Sequence, residues 1–311
     1  MTTAAGAHPT EVDRVIIHDH VRRRGRYGAC RALAALPAVA GGALLMLVLT
    51  AGLGAWQLLI WLPWVSAPVL LSTRSGERVA VRTAYRFRTL TGQQEQLLAP
   101  VRGAALGRCG LPSDRFDWYL SPGRKPNACV AGRRSIAVTE GALQGFLAGR
   151  LPADLLAAVL VHELGHHATR ASHCRLGAAW LAAPGRLAFG LLLRLSIRLC
   201  GNQRPGPVTG LLTLIATGIA LTRLVRDEQW LSVAMGIGLV AAFILTPLLD
   251  AAVSRASEHA ADRYAGTRGV GPDLARALTV LNPPSTRRWA KPLDQHPPVA
   301  RRISRLTSPW A

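Results

Sequence analysis

Residues 32–73 read ALAALPAVAGGALLMLVLTAGLGAWQLLIWLPWVSAPVLLST, 42 positions without a charge between Arg31 and Arg74. As helix, that run would extend about 63 Å at 1.5 Å per residue, roughly twice the hydrocarbon thickness of a bilayer. It is too long for the apolar core of a signal peptide and carries no convincing cleavage site. The run therefore predicts a hairpin of two membrane spans, 36–53 and 55–71, turning near Gly52 and Gly54. Trp56, Trp61 and Trp64 suit the interfaces of such a hairpin, and Pro63 and Pro68 are placed to kink its second arm.

The rest of the composition agrees with a membrane protein. Half of the 311 residues are hydrophobic and only 17% are charged, against about 25% in an ordinary soluble domain. Disorder, collagen and a small disulfide scaffold are excluded. The net charge of +20 is almost all arginine, the only lysines being Lys125 and Lys291. A basic chain invites a nucleic-acid partner, but here the arginines flank apolar runs, as the positive-inside rule requires. The expected partner is the lipid bilayer, with no nucleic acid. Cys30, Cys109, Cys129, Cys174 and Cys200 are odd in number and form no CxxC pair, which fits a reducing compartment or membrane burial.

Around the hairpin (32–73) the chain divides by charge. Residues 1–31 form a basic N-terminal segment, expected in the cytoplasm, with Arg22, Arg23, Arg24, Arg26 and Arg31 at its end. Residues 74–175 have the charge and turn content of a soluble unit. In 176–200, Arg186, Arg194 and Arg198 fall with Arg175 within about 140° of helical arc, which predicts an interfacial amphipathic helix. Residues 205–249 contain two uncharged runs, 205–222 and 229–249, read as two further spans. Residues 250–311 return to soluble character, with a proline-rich loop at 283–298. The fold class expected is mainly α with a small β-hairpin (α+β), in a polytopic chain of about four transmembrane helices. The hairpin is read from Asn127–Ala131, a turn at Gly132–Arg134, and Ser135–Thr139. A helix over 140–148 follows, then a strongly apolar one from Leu151-Pro152-Ala153-Asp154 through His167.

That second helix carries His162-Glu163-Leu164-Gly165-His166. Residues i and i+4 lie about 40° apart around a helix, so both imidazoles reach one metal ion, with Glu163 beside them as a base. Chance supplies about 0.006 such matches in a chain of this composition, so the motif is specific. A catalytic zinc takes three protein ligands. The longer HExxH pattern with a third histidine needs Gly at 169 and His at 172, where Thr169 and Ser172 stand; His173 is one place out of register. The leading candidate for the third ligand is Glu258, on a separate predicted helix. Asp262, at i+4 from it, is placed to accept the free N–H of a ligating imidazole. Glu228 would lie across the membrane. His167 and His259 are turned about 100° from their ligating neighbours, and His8, His18, His20 and His173 are read as surface residues.

The chain resembles the HtpX-like membrane zinc endopeptidases, whose wider family includes the CAAX prenyl proteases. The matching pieces are Asn127-Ala128 with the hairpin, Val138-Thr139-Glu140-Gly141, and His162 to His166. Ser254-Arg255 with Glu258, Ala261 and Asp262 follow, then His296-Pro297-Pro298 with Arg302 and Ile303. They occur in the family's order and cover most of 75–305. The basic N-terminal 31 residues and Cys129 depart from the pattern.

The resemblance implies a gluzincin-type peptidase domain with one Zn2+ per chain, bound by His162, His166 and Glu258, with Glu163 as base and Asp262 behind the ligands. It also implies protein or peptide substrates and a multi-pass plasma-membrane enzyme whose site faces the cytoplasm. His296 is either an oxyanion or substrate contact or an ordinary loop histidine ahead of a C-terminal helix. Asn127 and Ala128 are candidates for a substrate-binding edge strand. Two rival functions share the HExxH motif and the spans. A signalling metalloprotease of the β-lactam sensor type needs a large extracellular domain after its last span. A non-catalytic zinc-binding membrane adaptor would have no use for an intact Glu163.

Overall fold

The computed structural model describes residues 11–199, 218–219, 222–281 and 294–308. The expected span 205–222 lies almost wholly outside these residues, as does His8, and the side chains of His18 and His20 are likewise not described.

Helix α1 (Glu11–Thr50) is a single helix of 40 residues, so the basic segment is continuous with the first apolar arm rather than a separate unit. A 3-10 stretch at Ala51–Gln57, with Gly54 at φ 53°, reverses the chain into α2 (Leu58–Ser72). The break between the two apolar helices falls at the expected turn, near Gly52 and Gly54. Pro68 has no N–H to give the carbonyl of Trp64 one turn back. That carbonyl instead accepts from Trp180 Nε1 at 3.1 Å, the kind of borrowed donor that lets proline stand in a membrane helix.

Helix α3 (Arg74–Ala84) leaves α2 through Thr73, whose side chain accepts from the Gly76 N–H. A Cβ at position 76 would lie 2.0 Å from the Leu70 carbonyl, so glycine alone allows this corner. After β1 (Arg88–Thr89), α4 (Gly92–Cys109) begins on a capping box between Thr91 and Gln94. Strands β2 (Asp117–Ser121), β3 (Ala128–Ala131) and β4 (Ser135–Thr139) complete a sheet of order β1-β2-β4-β3. The hairpin β3–β4 is antiparallel, as its alternation predicts, while β2 pairs parallel to β4. Strand β3 is an edge.

Helix α5 (Glu140–Leu147) leads to α6 (Ala153–Ala168), which is apolar on every side. Such a helix belongs in a core, and every residue from Leu155 to His167 is buried. One face of the sheet packs on α6 and α4 through Ala128, Val130, Ile136 and Val138. The other face meets α3 in a smaller cluster of Val81, Phe87, Tyr119, Ala131 and Ala137.

The single amphipathic helix expected over 176–200 is two helices, α7 (Arg175–Leu181) and α8 (Ala183–Leu199), parted at Ala182. Helix α7 packs on α2, with Gly177 against Pro68, and α8 starts against α1, where Gly185 faces Gly42. Helix α9 (Trp230–Thr267) runs 38 residues. The expected span 229–249 and the expected ligand helix are thus one continuous element. Helices α10 (Gly271–Leu281) and α11 (Val299–Thr307) close the core. Two stretches, Gly28–Ser72 and Trp230–Thr267, are long and apolar enough to cross a membrane.

Candidate metal centre and active site

The buried helix α6 and the C-terminal part of α9 build the site. Gly165 in α6 faces Ala261 in α9, and a Cβ there would stand 3.1 Å from the Ala261 Cα and 3.2 Å from its carbonyl. The small pair lets the backbones approach closely. Glu258 and Asp262 flank Ala261 on α9, so this contact carries both carboxylates to the histidines of α6.

His162 Nε2 lies 3.6 Å from Glu258 Oε2, and His166 Nε2 lies 3.4 Å from Glu258 Oε1. One ligand atom from each of the three residues falls within 4.8 Å of the others. A tetrahedral zinc with ligands at about 2.0–2.1 Å separates neighbouring ligand atoms by about 3.3 Å. The three side chains fit such an ion. All are buried, and the two imidazoles meet edge to face, their centres 4.9 Å apart. Asp262 Oδ1 stands 3.0 Å from His162 Nδ1, on the ring side away from Glu258 but off the line that an N–H there would take.

Glu163 is buried beside the histidines, and burial raises its carboxyl above the usual range. Burial works against a charge on His162, but Asp262 and Glu258 outweigh it and lift the imidazole to about 9. His296 Nδ1 sits 3.4 Å from Glu258 Oε1 with 73% of its side chain exposed, at the mouth of the site. Its hydrogen bond to Glu258 raises its pKa. His167 points away into the core, where Ser172 Oγ is 3.3 Å from Nδ1 and Phe116 packs on the ring. Burial drives that imidazole down to about 3. Burial and the charge of Glu163 push the Cys129 thiol up to about 12, so it stays protonated.

Arg302 is the site residue to which sequence reasoning gave no role. Its guanidinium, 7% exposed, donates to both Asp262 oxygens at 2.7 and 2.9 Å. It also lies 3.0 Å from Glu258 Oε2 and 3.4 Å from His162 Nε2. The signal was present. In Val299–Thr307, Arg302 shares the inward face with Leu306, and a charge on the apolar face of an amphipathic helix needs a buried partner.

The substrate-strand candidates stand at the end and edge of β3. The Thr139 N–H donates to the Asn127 carbonyl at 3.0 Å, and the Asn127 N–H donates to Thr139 Oγ1 at 2.9 Å. Antiparallel ladders alternate. With Ala128 opposite Val138 and Cys129 opposite Ala137, Cys129 and Ala131 bond to β4, while Ala128 and Val130 turn their N–H and C=O away from β4. Asn127 is exposed, Cys129 half-buried and Ala128 buried.

A family model of Peptidase family M48 matches residues 92–310, most of the chain and all of this site. The chain belongs to peptidase family M48. The Protease HtpX homolog of Acidiphilium cryptum is 28% identical to this M48 chain over 274 residues, 78% of this chain and 80% of that one. The Protease HtpX homolog of Acaryochloris marina is 29% identical over 243 residues, covering 72% and 75%. The crystal structure of S. mikatae Ste24p matches with a TM-score of 0.45 at 16% identity, over 90% of this chain and 65% of that one. This M48 chain is accordingly a metalloprotease with candidate membrane-crossing helices.

Proposed function

We propose that the chain is a membrane-integral, zinc-dependent endopeptidase of the plasma membrane that cuts membrane or misfolded proteins on the cytoplasmic side. The observation that supports it best is the convergence of His162, His166 and Glu258 beside a buried Glu163. In this reading His162, His166 and Glu258 would hold one zinc ion, and that ion would supply Lewis-acid chemistry at the scissile carbonyl. Glu163, its pKa raised toward the working pH, takes the proton of the attacking water and passes it to the leaving amine. His296, at the mouth, donates to the oxygen on which charge develops. Arg302 and Asp262 hold Glu258 and His162 in place. Substrate lies extended along β3 and borrows its edge hydrogen bonds, a mode that tolerates varied sequences.

Glu163→Gln removes the base and no ligand. The variant should keep about one zinc per chain while casein cleavage disappears. His162→Ala and Glu258→Ala should lose zinc as well as activity, and a chelator should silence the wild type. A fully zinc-loaded and active Glu258→Ala would remove Glu258 from the ligand set. An active Glu163→Gln would remove Glu163 from the role of base.

A further inference from the structure

Glu77 is the buried carboxylate that the chemistry above does not use. It sits in the first turn of α3, one turn past the end of the second membrane arm, and is 2% exposed. Its carboxylate accepts four hydrogen bonds, two from the turn that joins β3 to β4 and two from Ser135, the first residue of β4. The Arg133 N–H donates to Oε2 at 2.8 Å. The N–H groups of Arg134 and Ser135 donate to Oε1 at 2.9 Å each, and the Ser135 hydroxyl donates to it at 2.7 Å. Bonds to an ionised acceptor are about twice as strong as neutral ones. The fit is tight from the other side too. Gly132 takes φ +65°, and a Cβ there would lie 2.5 Å from the Glu77 carboxyl carbon.

We propose that Glu77 is a positioning residue that sets the substrate-binding strand β3 in register with the membrane hairpin. Fixing the turn at Gly132–Arg134 fixes the strand that leads into it. The N–H and C=O groups of Ala128 and Val130 that face away from β4 are then held at a set place relative to α2 and to the candidate metal ligands on α6. A second clamp works beside the first. Arg74 and Arg78, flanking Glu77 on the same helix, both bind Asp117 at the start of β2. The first two turns of α3 therefore grip both sides of β4. A peptide entering from the bilayer would meet an edge whose position relative to the span is already set, and less ordering freedom is lost on binding.

The inference rests on the reading that β3 carries substrate, so the experiment separates the two. Zinc-loaded full-length protein in detergent is assayed with an extended fluorogenic peptide, and with acetohydroxamate, a probe too small to reach β3. Glu77→Gln should raise KM for the peptide roughly tenfold with kcat within about twofold. Zinc content and acetohydroxamate inhibition should stay at the wild-type level. Ser135→Ala, which deletes one of the four donors, should shift KM in the same direction by less, and carries the test if Glu77→Gln cannot be isolated. Ala128→Pro, which deletes a donor facing away from β4, reports on the strand itself.

Peptide KM raised by Ala128→Pro but not by the Glu77 and Ser135 variants would overturn the positioning role and leave the edge strand standing. Unchanged KM in all three would remove both. Parallel loss of zinc, kcat and acetohydroxamate inhibition in Glu77→Gln would show that Glu77 only holds the fold together, and would also overturn the proposal.

Discussion

At position 302 a buried guanidinium spans two buried carboxylates, Asp262 and Glu258. Removing one partner of a buried ion pair strands the other, which costs more than the pair contributes. Arg302→Met should therefore lower stability by about 3–5 kcal/mol, the range for breaking such a pair, read as thermal unfolding in detergent. Adding Asp262→Asn takes away one stranded charge, so the double variant should recover part of the loss. Equal effects of Arg302→Met with aspartate or asparagine at 262 would mean the bidentate pair is not coupled. The candidate ligands and Asp262 were legible in the sequence because their placement is local: i to i+4 spacing in one helix gives His162 and His166, and in another gives Glu258 and Asp262. Arg302 was not legible as a partner. Its contacts bridge 40 residues to Asp262 and 140 to His162, and one arginine among many gives no sign of which is buried until the face of its helix is known.

Among the elements, the β3–β4 hairpin and α6 follow directly from alternation and from a continuous apolar run. Strands β1 and β2 do not. The first is two residues long, and the second owes its place to parallel pairing with β4, a contact with no local period. Helices α7 and α8 part at Ala182 just ahead of Pro184-Gly185, a local break signal because proline has no N–H for the carbonyl one turn back and suits the first turn of a new helix. The attachment of α3 to β2 gives a pH test. Burial raises the Asp117 carboxyl, but the hydrogen bonds and charges of Arg74 and Arg78 outweigh it and hold the pKa at about 2, against 3.8 unperturbed. A carboxyl depressed in the folded state contributes stability that is full above 3.8 and is lost as pH falls toward 2. Asp117→Asn should therefore be less stable than wild type by a constant margin from neutral pH to about 5. The margin should shrink between 3.8 and about 2. A margin that did not change with pH would show that the arginines contribute nothing through this charge.

Across the whole molecule, α1 and α9 act as a depth gauge. Arg31 donates to Ser254 Oγ at 2.8 Å and to the Ala171 carbonyl at 3.3 Å. Further along, a Cβ on Gly41 would lie 3.2 Å from the Ala242 Cβ. The two helices therefore run antiparallel, with Arg31, Asp250 and the metal site at one level. From Arg31 to Thr50 is about 28 Å of helix, close to one hydrocarbon thickness. From Trp230 to Glu258 is about 42 Å, which leaves Glu258 about 12 Å beyond a hydrocarbon layer entered at Trp230. On the proposed reading the Trp230 end lies across the membrane from the site, and the arginine-rich level of Arg31 and Arg74–Arg88 is expected to be the cytoplasmic one by the positive-inside rule. Single cysteines in a background with the native thiols replaced test this directly. A membrane-impermeant maleimide on intact cells should label position 227, which is exposed just ahead of α9. Positions 88 and 304, exposed on the site's side, should react only after permeabilisation. Labelling of 88 in intact cells, or of 227 and 304 from the same side, would break the link between α9 and the bilayer and with it the cytoplasmic site.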